Sequence, residues 1–274
     1  MILLVASNKD IASLNIKQQI LSCYSFEKMS ESFQGNQVYK ANFDHKEVRL
    51  VTLDQESVYA QNLPDQFSDL ELVVFVSRHS SESGTPTLSV HTPGNLGQAE
   101  LGGLPGKVSV SPANAMRAAL KAMERLKQQK QLGYEVSYEC THHGPSLDVP
   151  TMFAELGSSL AQWNDLEAAG VVAHAAMEAV SSLGSNPVPA VLGIGGTHYN
   201  AKFTRIAFEK ELAFGHMIPK YAIPNVDSEM IRQCIERTME TVDHAVLDWK
   251  GIKGENKQLL TSMLDETGIR FEKV

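Results

Sequence analysis

The stretch Leu70–Ser77, LELVVFVS, is apolar at six of its eight positions. Successive strand side chains point to opposite faces, so a run of this kind puts apolar groups on both and needs cover on both. Working outward, MILLVAS (1–7) and KEVRLVTL (46–53) read as further strands, and a helix is expected around residues 10–22. Buried strands between helices predict an α/β fold of three layers, αβα, around a central sheet. No repeat or low-complexity linker interrupts the chain, so residues 1–274 are expected to form a single α/β domain with inserted loops, notably over 92–110.

Further along, TLSVHTPGN (87–95) is a short alternating strand, and the glycine-rich LGQAELGGLPGK after it reads as an ordered loop or lid near a site. Ser111-Pro112 predicts a helix with serine as its cap and proline in its first turn, ending at Gly133. Met116, Ala119, Leu120, Met123 and Leu126 fall on one face of it, and Arg117, Lys121 and Arg125 on another. YEVSYECTHH (134–143) and TMFAELGSS (151–159) read as strands. A long helix over 165–183 is capped by Asn164 or Asp165, PVPAVLGIGG (187–196) is a buried strand entering a glycine turn, and helices near 227–239 and 254–267 finish the chain.

Composition narrows the function. The net charge of −8 argues against general nucleic-acid affinity, including DNA, while leaving room for a local basic patch. Cys23, Cys140 and Cys234 contain no C-x-x-C spacing, so a disulfide framework or thiolate zinc site is not expected, and any metal must be held by imidazole and carboxylate. No stretch reaches the ~20 apolar residues of a membrane span, and MILLVASNKD is too short for a signal peptide; a cytoplasmic protein is expected.

Histidines or carboxylates recur at expected strand ends: His79 in SRHSS, His91 in SVHTPG, His142 and His143 in CTHHGP, Glu155 in FAELGS and His198 in GIGGTHYN. Ligand sites of open α/β sheets gather at such ends. Any one of these histidines alone reads as structural; together they predict a built site. His142 and His143 point apart on a regular strand, and Gly144-Pro145 supplies the departure that lets both face one pocket. Glu155 shares a strand face with Phe153, so in a central strand its carboxylate is buried and must be paired, hydrogen-bonded or on a metal; an ion pair with Arg78 is the alternative. His216, after a glycine, either joins the site or is structural, and His45, His174 and His244 read as structural. Asp148 sits in a Pro-flanked loop where an Asx-turn explains it. GIGGTHYN departs from a dinucleotide fingerprint at His198 and shows no helix with a following acid, though Gly195, Gly196 and Thr197 can form an amide nest for an oxyanion or phosphate. There is no G-x-S-x-G, Walker lysine or H-E-x-x-H.

The blocks VFVSRHSSESGTPTLSVHTPGN, YECTHHGPSLDVPTMFAELGSSLAQW and LGIGGTHYNAKFT resemble the archaeal and plant type of D-aminoacyl-tRNA deacylase, in order and spacing from about residue 1 to 270. The resemblance implies a zinc-dependent hydrolase that splits the ester joining a D-amino acid to tRNA, and a phosphorylase or peptidyl-tRNA hydrolase kind of fold with a mixed sheet. Zinc held by neutral imidazoles lowers the pKa of its water to about 7 and polarises the ester carbonyl. From placement, one or two zinc ions are expected among His79, His142, His143, His198 and His216, with Glu155, His143 and His91 in catalysis. Arg117, Lys121, Lys202 and Arg205 are expected to meet tRNA phosphates, and the protein to act as a monomer. Rejection of L substrates calls for a wall near the Cα that the sequence does not locate. Competing readings are a zinc peptidase or amidohydrolase of small D-amino-acid derivatives, a non-enzymatic tRNA or nucleoside binder, and a phosphorylase.

Overall fold

The computed structural model describes residues 1–43, 45–185 and 187–274. The chain begins with β1 (Ile2–Ser7), α1 (Ile11–Cys23), β2 (Glu27–Phe33), β3 (Asn36–Phe43), β4 (Lys46–Leu53), β5 (Leu72–Ser80) and β6 (Thr87–His91). Helix α2 (Ala113–Lys130) leads to β7 (Glu135–Tyr138) and β8 (Thr151–Ser158), then to the short α3 (Leu160–Trp163) and long α4 (Leu166–Ser182). The remainder runs β9 (Ala190–Ile194), α5 (Ala201–Glu209), β10 (Ala213–Ile218), α6 (Ser228–Glu236), β11 (Val242–Leu247), α7 (Gly254–Thr267) and β12 (Phe271–Lys273).

These strands form a large mixed sheet of eight strands, in the order β2-β3-β4-β1-β5-β8-β6-β7, and a parallel sheet of four, β10-β9-β11-β12. The mixed sheet flanked by helices agrees with the expected α/β class. Separation of β9–β12 into a second sheet was not legible in the sequence. The stretch 70–77 lies mostly within β5, parallel to both β1 and β8 at the centre of the large sheet, where its apolar residues are covered on both faces. On one face Val74, Val76, Met152, Ala154 and Leu156 pack with α1, α2 and α4. On the other, Val73, Phe75 and Phe153 pack beneath Ala60 and Leu63 of the segment joining β4 to β5. Helices α6 and α7 supply Ile231, Leu260 and Leu264 to one face of the second sheet.

Several local expectations need correction. Ser111 does not cap α2: the first helical amides, Ala113 and Asn114, donate to the Glu240 carboxylate instead (3.0 and 2.9 Å). The helix ends at Lys130 with Gln131 left-handed, before Gly133. The GIGG turn does enter a helix, α5, whose first turn is capped by Asn200 through Phe203 N. Asp165, one of the two proposed caps, does cap α4.

The register of the central strands positions the chemistry. Across β5, β8 and β6, Ser77 pairs with Glu155 and Glu155 with Ser89, so the three share one face. His79 and His91 stand two residues further along β5 and β6 and therefore share it too. Beyond Tyr138 the chain crosses between sheets: Glu139 N donates to Val90 O (3.1 Å), Cys140 N to His198 O (2.9 Å) and Thr141 N to Met217 O (3.0 Å). That crossing carries Glu139, His142 and His143 and brings them against His198, on the turn between β9 and α5.

Candidate functional site

The strand-borne part of the site is a buried carboxylate between two imidazoles. Glu155 Oε1 accepts from Ser77 Oγ at 2.6 Å, and Oε2 lies 3.6 Å from His79 Nδ1 and 3.7 Å from His91 Nε2. The His91 ring stacks on Phe153, centroids 5.0 Å apart, and the His79 backbone carbonyl accepts from Trp163 Nε1 at 2.8 Å. Gly157, opposite His79, makes the room: a Cβ there would sit 2.6 Å from His79 Cβ and 2.7 Å from its ring. Arg78, proposed as an alternative partner of Glu155, instead pairs with Glu56 (3.0 Å).

The second part stands past the strand ends and contains a residue the sequence reading missed, Glu139. Its carboxylate is buried and lies 3.2 Å from His79 Nδ1, 3.0 Å from His198 Nε2 and 3.6 Å from His142 Nε2. His142 and His143 converge, ring centroids 4.2 Å apart, as the Gly144-Pro145 departure predicted, and His91 is 4.2 Å from His142. His143 itself adopts the left-handed region (φ 41) to make that turn. His142 Nδ1 lies 2.8 Å from Cys140 O and His143 Nδ1 lies 2.7 Å from Gly144 O. A carbonyl only accepts, so each Nδ1 carries the proton and each Nε2 presents a lone pair. Metal-ligating histidines are held in this way.

Charge balance points in the same direction. Among the described residues Glu139 and Glu155 face imidazoles and no lysine or arginine. Burial pushes both carboxyls up, but the bonded imidazoles outweigh it: His198 and His79 hold Glu139 well below the usual carboxylate range, and His79 and His91 bring Glu155 to about 2. His79, lowered by burial, is raised overall by the two carboxylates. His143 is lowered to about 4 by burial and by His91, and burial with the neighbouring imidazoles also lowers His142, so both stay neutral and able to ligate. Buried polar atoms without a hydrogen-bond partner include His79 Nε2 and both ring nitrogens of His91. Three groups of potential ligand atoms, each within 4.8 Å of one another, are His91/His142/His143, Glu139/His142/His198 and His79/Glu139/Glu155. This imidazole and carboxylate donor set suits zinc.

Two cavities, of about 730 and 500 Å³, share the wall formed by Leu101, His142, His143 and His198. The glycine-rich loop lies at the larger one, as expected, contributing Gly94, Gln98 and Leu101 among its lining.

Other expected residues lie elsewhere. His216 is a correction to the proposed ligand set: its Nε2 sits 3.1 Å from Ser109 O and 3.2 Å from Arg237 O, and its Nδ1 sits 3.1 Å from Thr141 Oγ1, so both nitrogens are occupied by protein. In the GIGG nest, the Gly195 amide is spent on Ile218 O (2.8 Å), while Gly196 O accepts from Lys220 N and Thr197 Oγ1 donates to Tyr199 O. Lys202 is ion-paired with Asp248, Arg117 donates to Lys210 O (3.3 Å) and Arg125 pairs with Glu178 (3.1 Å). Lys121 and Arg205 are exposed. Asp148 pairs with Lys107 and Arg237, His174 bonds Tyr24 and His244 bonds Asp243; His45 occupies a turn with positive φ. No helix among the described residues is long and apolar enough to cross a membrane.

Comparison with known proteins finds a family model, D-aminoacyl-tRNA deacylase, matching residues 66–272. The D-aminoacyl-tRNA deacylase of Thermococcus kodakarensis is 38% identical over 268 residues, 96% of this chain and 96% of that protein. Its counterpart from Pyrococcus furiosus is 37% identical over 270 residues, again 96% of each. A crystal structure of a conserved protein of unknown function superposes with a TM-score of 0.88 at 28% identity, covering 100% of this chain and 95% of that one.

Proposed function

Because the chain belongs to the D-aminoacyl-tRNA deacylase family, we propose that it hydrolyses the ester joining a D-amino acid to tRNA at the histidine wall between the two cavities, using one or two zinc ions. The observation that carries this reading is the pair of fixed tautomers at His142 and His143, whose Nε2 lone pairs face the same space as His91, His198 and Glu139. His142 belongs to two of the three ligand groups, as does Glu139, so the donors run as a continuous chain from His91 to Glu155. His91, His142 and His143, or Glu139, His142 and His198, would hold zinc there, and it would supply a lowered water pKa of about 7 and polarisation of the ester carbonyl.

The protein's own groups do the rest. Glu155 is ionised at neutral pH, and Ser77 ties down Oε1, so Oε2 is the oxygen left to accept the proton of the attacking water. His91, packed on Phe153, and His79, hooked by Trp163, hold that carboxylate from both sides and keep its orientation. Protonation of the departing ribose oxygen returns the proton and releases free D-amino acid and tRNA. Of the expected phosphate contacts, Lys202 is ion-paired with Asp248 and Arg117 is tied to Lys210 O, whereas Lys121 and Arg205 are exposed, Arg205 beside an equally exposed Glu209, so these two serve a chain whose net charge is −8 better.

The test compares hydrolysis of D- and L-tyrosyl-tRNA with and without a chelator, alongside the zinc content of the native protein and of His142→Ala. Hydrolysis of the D ester alone, lost on chelation and with less zinc in the variant, is the expected result. Undiminished turnover by metal-free protein would reject the zinc chemistry, and equal rates on both esters would reject the chiral substrate.

A further inference from the structure

The two cavities differ in chemistry. The smaller is lined by Asp10, Glu56, Glu139 and Glu155, against which only Arg78 and the His79 imidazole stand as cations, together with the apolar rings of Tyr59, Phe153 and Tyr199. Asp10 is committed, with its oxygens accepting from Ser13 N (3.1 Å) and Arg78 N (2.6 Å). Glu56 pairs with Arg78 through Oε1 alone, and its side chain is 39% exposed. The larger cavity is nearly neutral. Besides the shared histidines its one charged residue is Glu100, and it offers the Gln98 and Asn225 amides and the ring of Tyr221. Tyr221 is 59% exposed although aromatic, and its hydroxyl reaches His198 Nδ1 at 3.2 Å.

An aminoacyl-tRNA end has two unlike parts on either side of its ester: an α-ammonium with a side chain, and an uncharged adenosine. A buried ammonium needs a carboxylate. A base needs a flat face and neutral hydrogen-bonding groups, and stacking on an exposed aromatic supplies the face without reading sequence. Resting on the deacylase reading above, we propose that the smaller cavity takes the aminoacyl group, with its ammonium on Glu56, and the larger takes the terminal adenosine, with its base on Tyr221. The shared wall of His142, His143 and His198 then falls at the ester between them. Tyr59, Phe153 and Tyr199 form an apolar surround that accepts varied side chains.

Calorimetry with adenosine and with D-tyrosinamide, which has the ammonium but no carboxylate, tests the division without turnover. The two ligands are expected to bind together. Tyr221→Leu should weaken adenosine by about tenfold or more and leave D-tyrosinamide unchanged, whereas Tyr221→Phe, which keeps the ring, should retain adenosine. Glu56→Gln should do the opposite, weakening D-tyrosinamide alone. Mutual exclusion of the two ligands, or the reverse pattern of losses, overturns the assignment. Deacylation of D-tyrosyl-tRNA is followed on the same samples. Turnover by native protein with the wrong binding pattern sinks the division alone, and absence of turnover sinks the reading beneath it. Both substituted side chains are exposed by a third or more, and unchanged thermal unfolding confirms that the variants are folded.

Discussion

The two halves of the site are built by different means. Ser77, His79, Ser89, His91 and Glu155 stand on three strands of the large sheet, and their relative positions follow from ladder register. Glu139, His142 and His143 stand beyond a strand end, on a segment whose amides are divided between two sheets, and His198 stands on the turn between β9 and α5; the His142 and His143 rings are each oriented by a single carbonyl, and the His198 ring by Tyr221 and Glu139. The strand half is redundant: losing one contact leaves the ladder. In the loop half each hydrogen bond fixes one ring, and one carboxylate, Glu139, touches three of the imidazoles. The difference teaches that the most sensitive position is the carboxylate where the halves meet.

The largest effect is therefore expected from Glu139→Ala. It removes the one anion shared by His79, His142 and His198 and leaves His142 and His198 without the carboxylate that holds their Nε2 atoms together. Steady-state deacylation should fall by about 10³-fold, in the range seen when a positioned acid–base or electrostatic group is lost. Bound zinc should fall with it. Retained activity would mean that the loop half is organised without Glu139, and the comparison above would fail.

The same contrast explains what the sequence revealed. KEVRLVTL and the helix over 254–267 appear at the residues expected. Alternation along TMFAELGSS placed Glu155 correctly with Phe153, because a central strand obeys its period of two. Alternation fails at Glu139 for a physical reason. It is in phase with Glu135, which is exposed, so as part of one strand it reads as facing water; but β7 ends at Tyr138, and the chain turns to place Glu139 under His198. Strands β10 and β11 were missed for a related cause. AFGHMI and VDHAVL carry polar or glycine residues inside their runs, and their burial comes from neighbours distant in sequence: Gly215 makes room for Thr238, and His216 is satisfied by Ser109 and Arg237. The α2 cap lay beyond local reading too, since Glu240 is over a hundred residues from the helix it caps.

A smaller effect is expected from disturbing the strand half through Gly157→Ala. The added methyl would meet His79 backbone and ring within 2.7 Å, and the ladder cannot yield without shifting β5 against β8. Overpacking of this kind costs about 1–3 kcal/mol. Denaturant unfolding should show that loss, and turnover should fall by less than in Glu139→Ala, because Glu139 keeps its contacts with His142 and His198. A Gly157→Ala protein as impaired as Glu139→Ala would show that the strand half is no more tolerant than the loop half.

The smallest effect concerns what holds the loop half in place. His216 is fully buried and joins three parts of the chain: Ser109 and Arg237 through Nε2, and Thr141, next to His142, through Nδ1. Two carbonyls at Nε2 require a proton there, so Nδ1 is an acceptor and the ring is neutral. Burial lowers its pKa to about 4, although the carbonyls pull the other way. In the unfolded chain the ring titrates near 6.5. Between those values the unfolded state binds one more proton than the folded one, so stability is whole above 6.5 and drains as pH falls toward 4. His216→Gln removes that proton from the balance. Its unfolding free energy at neutral pH should be lower, because the triple tie is weakened, but it should decline less steeply over the window, by about 1.4 kcal/mol per pH unit at most. Parallel pH profiles for the two proteins would show that His216 titrates alike in both states, and the loop half would need a different anchor.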